Sequence, residues 1–181
     1  MNTETLNGSI DKPFSRIRDG LIGGLIAGWV FAVAQMIAAM AAGTATQLPW
    51  RMAASVLRGR GAIGADWTFG LWLSGAVMHF GLSSLYGLAW AAIAYKLWPL
   101  IRTSLGKHSA LAAGYGLLLW LLDFQIIARA AFPWFLSTNV LAQMLLHMLA
   151  FGLPLGLYME ARLHTLIHRD PMLWRRQGLV H

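Results

Sequence analysis

Charge is scarce in this chain. Asp, Glu, Lys and Arg make up 12% of its 181 residues, about half of the 25% an ordinary soluble domain carries. Hydrophobic types reach 57%, and the mean hydropathy is +0.57. Too little charge is left to coat a water-soluble surface, which excludes a soluble enzyme, a disordered tail and a coiled coil. Cysteine is absent, so disulfides, thiolate metal sites and thiol nucleophiles are excluded too. Catalytic signatures are also missing: no HExxH, nucleophile elbow, phosphate-binding loop or pair of carboxylates appears. An enzyme is therefore not expected. Acidic residues are few, 7 against 14 Lys and Arg, for a formal net charge of +7. The basic residues sit beside apolar stretches, which points to a bilayer as partner and not to nucleic acid.

Long uncharged runs are what the chain does have. Gly20 to Trp50 holds 31 residues without a charge, Trp67 to Tyr95 holds 29 and Ala130 to Met159 holds 30. His108 to Leu122 adds 15, before Asp123 interrupts. A bilayer crossing takes about 20 apolar residues. The expected fold is therefore an all-α, integral membrane four-helix bundle with spans at about 20–43, 69–95, 109–131 and 136–159. A polar segment, 1–19, precedes the transmembrane domain 20–159, and a basic tail, 160–181, follows it. The first span is longer than a signal-peptide core and is read as a mature helix.

Orientation follows from Lys and Arg. With the N-terminus inside, ten of them lie on the inner side and four on the outer. That places both termini in the cytoplasm; a bacterial inner (plasma) membrane is the expected location. Arg51, Arg58 and Arg60 dissent from the outer connection, 44–68. Pro49 can open a short helix there through about Leu57, lying in the interface, with a solvated basic loop as the equal alternative. His164 and His168, one turn apart, can bind zinc, but a basic interfacial extension fits them better.

Small residues recur at helical spacing. Gly20, Gly24 and Gly28 form a doubled GxxxG row; Gly75 and Gly87, with His79 and Ser83 between them, form another; Gly152 and Gly156 form a third. Such rows let backbones touch where no hydrophobic force draws helices together. They are read as packing within one bundle, with a dimer seam as the alternative. A short 132–135 connection makes the last two spans a hairpin like the first two, which hints at a tandem helical-hairpin repeat.

Polar residues inside the spans carry the functional question. Gln35, His79, Ser83, Asp123, Gln125, Asn139, Gln143 and His147 are costly in lipid unless satisfied. Counting from the outer ends at 1.5 Å per residue puts His79 and His147 level, about 15 Å deep. Asn139, Gln143 and His147 fall on one helical stripe. Four readings compete. The first is interhelical hydrogen bonding alone. The second is a b-type haem held by His79 and His147, with Gly75 and Gly81 giving the macrocycle room. The third is a proton or cation path through Asp123, against which stands its pairing with Arg129, Arg51 or Gln35. The fourth is copper held by the same histidines with Met78, Met144 and Met148. The leading expectation is a non-catalytic structural or accessory subunit, working with a membrane-protein partner or by self-association. The haem- or metal-binding electron or ion carrier and the proton or cation transporter are the alternatives.

Overall fold

The protein was analysed as a computed structural model that describes residues 13–101 and 105–169, with side chains over 16–96 and 107–162. Every element among them is helical. Helix α1 covers Pro13–Ala41, α2 Leu48–Arg58 and α3 Phe69–Ile101. Helix α4, Leu105–Trp120, runs on through a π-helical stretch, Leu121–Ala128, into a last turn, α5, Arg129–Ala131. Helix α6, Val140–Leu146, runs through a second π-helical stretch, His147–Gly152, into α7, Leu153–Arg169. The bundle thus has four rods: α1, α3, α4 to α5, and α6 to α7. Each contains a helix long and apolar enough to cross a membrane.

The rods extend beyond the uncharged runs. Helix α1 begins at Pro13, where the fixed φ of proline suits a first helical turn. The fourth rod starts later than the run suggests. Pro133–Ser137 winds as a 3₁₀ turn, and Asn139 is extended and caps α6 by accepting from Ala142 N–H at 3.0 Å. His164 and His168 fall on α7, but their side chains lie outside the described residues, as do 1–12 and 170–181.

Glycine decides how closely the rods approach. A Cβ on Gly24 would stand 2.4 Å from the Ser83 carbonyl, and one on Gly87 would stand 2.3 Å from the Gly20 carbonyl. Gly28 meets the Ser83 side chain. The first glycine row therefore packs α1 on α3 inside the chain. The second hairpin repeats the device with other residues. Gly152 abuts the Ala112 carbonyl, Gly156 abuts the Ala112 methyl, and Gly116 abuts the His147 carbonyl. Gly75 is filled by the backbone of Trp50 instead, because α2 leans along α3.

That lean corrects the reading of 44–68 as a solvated loop. Trp50, Met52, Ala54 and Ser55 are buried, and Pro49 stands in the first turn of α2. Trp50 lies beside Gly75, His79 and Phe80, while Arg58 donates to Ser74 Oγ at 2.7 Å and to the Gly70 carbonyl at 2.8 Å. Helix α2 therefore runs antiparallel to α3, with its first turn well below the start of that rod. Ser55 accepts from Trp134 Nε1–H at 2.8 Å, tying this helix to the link between the last two rods. The largest cluster of buried apolar residues, including Phe31, Trp90, Tyr115, Phe151 and Leu155, lies where the four rods meet.

Candidate functional site: a carboxylate and an imidazole at two wide turns

The polar centre is built around Asp123. Its side chain leaves the π-helical stretch of the third rod and meets two groups. The Tyr86 hydroxyl, from α3, donates to Oδ1 in a short hydrogen bond. His147 Nε2, at the head of the other π-helical stretch, lies 3.7 Å from Oδ2. Both partners of this pair thus sit in windings wider than an α-helix, a feature concentrated at functional sites. The Tyr115 hydroxyl donates to the Tyr86 carbonyl at 2.8 Å, which fixes the tyrosine backbone behind the carboxylate.

The tautomer of His147 follows from its neighbours. Nδ1 lies 2.7 Å from the Gln143 carbonyl. A carbonyl only accepts, so Nδ1 carries a hydrogen. In the neutral ring Nε2 is then a bare acceptor, and it faces a carboxylate oxygen, also an acceptor. Two acceptors repel until a proton lies on one of them. The pair is therefore a place for one proton, held as imidazolium beside carboxylate or as imidazole beside carboxylic acid.

Phe31 carries the centre across to the first hairpin. Its ring stacks with His79 at a centroid distance of 5.9 Å and meets His147 edge-on at 4.7 Å. The two histidines thus share one phenyl ring as neighbour. His79 Nε2 donates to the Gly28 carbonyl at 2.9 Å. An axial pair for haem needs open space between free ring nitrogens. Here Phe31 packs against both rings, the space at Gly75 is filled by Trp50, and Gly81 faces away from every neighbour. Met78, Met144 and Met148 are half-buried. Among the described residues, no three His, Asp or Glu side chains converge as a metal site would require.

The other polar residues take separate places. Gln35 Nε2 donates to Gln143 Oε1 at 3.1 Å, bridging the two hairpins. Ser83 Oγ donates to the His79 carbonyl one turn back. Gln125 accepts from Arg129 at the surface, and Arg51 holds the carbonyls of Ile63 and Ala65. The described contacts of Asp123 are thus with Tyr86 and His147, and not with Arg129, Arg51 or Gln35, the alternative pairings weighed against a proton path. Asn139 is exposed and spent on its cap, so it drops out of the stripe with Gln143 and His147.

Two buried charged clusters escaped the sequence reading. Asp19 is fully buried; Arg162 donates to it at 3.2 Å, Tyr95 donates at 3.2 Å, and Arg18 lies 3.4 Å away. His108 and Glu160 are buried together, with Nδ1 3.6 Å from Oε2. Both clusters stand at the edges of uncharged runs, where a charge reads as a boundary marker. A buried carboxylate within reach of a basic group on another rod is visible only once the rods are assembled. Compared with protein-family models, curated proteins and solved structures, the chain matches none.

Proposed function

We propose that the protein is an integral-membrane, four-span component that holds and passes a proton at Asp123 and His147. The observation that carries this reading is the His147 ring, whose Nδ1 hydrogen is committed to the Gln143 carbonyl while Nε2 faces the Asp123 carboxylate. An ionisable pair inside apolar spans is costly to keep and marks a proton or ion pathway by default. Tyr86 supplies a further exchangeable hydrogen at the same carboxylate. The excess of Lys and Arg beside the termini supports a cytoplasmic location for both. Outside the rods the described chain adds only α2 and short turns, which supports an accessory role beside a membrane-protein partner or a second copy.

The test is proton uptake into liposomes carrying the purified protein, driven by a potassium diffusion potential and read with an internal pH dye. Flux above empty vesicles is expected for the wild type, and Asp123→Asn is expected to remove it. Undiminished flux in a folded Asp123→Asn protein overturns the role of this carboxylate.

A further inference from the structure

The pair His108–Glu160 joins the same two rods as Asp123–His147, with the residue types exchanged. At the centre the carboxylate comes from the third rod and the imidazole from the fourth; near the chain's termini the imidazole comes from the third and the carboxylate from the fourth. Fifteen residues separate His108 from Asp123, and thirteen separate His147 from Glu160, so the pairs stand roughly 20 Å apart along the rods. The space between them is aromatic. Trp90, from α3, lies 5.9 Å from the His108 ring and 5.0 Å from Tyr115, by ring centroids. Tyr115 in turn bonds the backbone of Tyr86, the donor to Asp123.

We propose that His108 and Glu160 form a second proton-holding station at the terminal end of the bundle, serving the Asp123–His147 centre. The inference rests on the proton reading above and deepens it. Neither side chain is in open contact with solvent, since His108 is 0% and Glu160 5% exposed. A buried imidazole within ion-pair distance of a buried carboxylate holds one proton in either of two forms, as the central pair does. The step changes no covalent bond to carbon: one proton arrives, converting imidazole beside carboxylate to imidazolium beside carboxylate, and one proton leaves to water. Trp90 faces the pair from α3. Next along the fourth rod, Arg162 is engaged by Asp19 of α1, and Lys107 beside His108 is exposed. Trp90, Tyr115 and Phe151 are buried between the two stations.

Two measurements on the full chain test this. In the liposome assay, His108→Gln and Glu160→Gln are each expected to cut flux at least tenfold, with Glu160→Asp restoring part of it. In infrared spectra taken from neutral to acid pH, one titrating carboxyl or imidazole band is expected to be lost in Asp123→Asn and a different one in Glu160→Gln. A merely structural pair would lower thermal stability without producing a titrating band of its own. Full flux in both glutamine variants, while Asp123→Asn is inactive, overturns the second station and leaves the central reading standing. A wild type without flux removes the central reading. The infrared result then decides the station alone: a titrating band lost in Glu160→Gln supports a proton site there, and its absence overturns one.

Discussion

The two hairpins reach the same close packing by the same device and then diverge. In the first, α1 and α3 are regular throughout, and glycines facing Ser83 and Gly87 bring backbone against backbone. The described hydrogen bonds of its histidine and of Ser83 end on backbone carbonyls. In the second, each rod widens into a π-helical stretch, and both His–carboxylate pairs span it. The first hairpin lends the centre Tyr86 and the neighbouring ring of Phe31. The difference teaches that both halves are close-fitted, while the His–carboxylate pairs lie between the rods of one half only.

The largest effect on stability is expected where glycines bring the two rods of the first hairpin into contact. Gly24→Ala sets a methyl 2.4 Å from the Ser83 carbonyl, and overpacking of this kind costs about 1–3 kcal/mol. Gly81→Ala is the matched control, because nothing lies within 4 Å of its Cβ position. On helix propensity it is expected to gain up to about 1 kcal/mol. Unfolding by dodecyl sulfate, followed by circular dichroism, measures both. Equal behaviour of the two variants would show that α1 and α3 are not held by glycine contact.

A smaller effect is expected at the hydroxyl that the first hairpin donates to Asp123. Tyr86→Phe removes the hydroxyl from Asp123 while keeping the ring. A hydrogen bond to a charged group is worth about 1.5–3 kcal/mol; since Asp123 keeps some exposure, the lower end applies, and proton flux should fall with it. Stability and flux both at the wild-type level would detach Tyr86 from the centre. The smallest effect tests the bridge between hairpins. A double-mutant cycle with Gln35→Leu and Gln143→Leu is expected to return about 0.6 kcal/mol of coupling, the average for such bonds between membrane helices. Zero coupling would mean that this bridge adds nothing to the other contacts between the halves.

The sequence displayed the rods but not all of their meetings. Uncharged runs marked four long helices because charge is costly where they lie, and the spacing of Gly20, Gly24 and Gly28 marked a smooth face. What it hid has physical causes. The pairing of Asp123 with His147 depends on two π-helical windings, and a count at 3.6 residues per turn carries no sign of them. The stripe through Asn139 assumed a helix where the backbone is extended. Asp19 and Glu160 looked like the ends of spans because their partners, Arg162 and His108, are supplied by tertiary approach. The lean of α2 along α3 was equally hidden, since eleven residues fit a surface helix as well as a packed one.

The wide turns have one more consequence. A π winding holds one residue more than the α-helical path needs, and that surplus can migrate along a rod while both of its ends stay anchored. Each residue the surplus passes is swung by about 100° around the axis, the angle one residue occupies in an ordinary helix. Asp123 and His147 both sit in such windings. Rewinding of the third rod would turn the carboxylate about its axis, whereas rewinding of the fourth would also shift the His147 carbonyl and Gly152, which lie in the glycine seam.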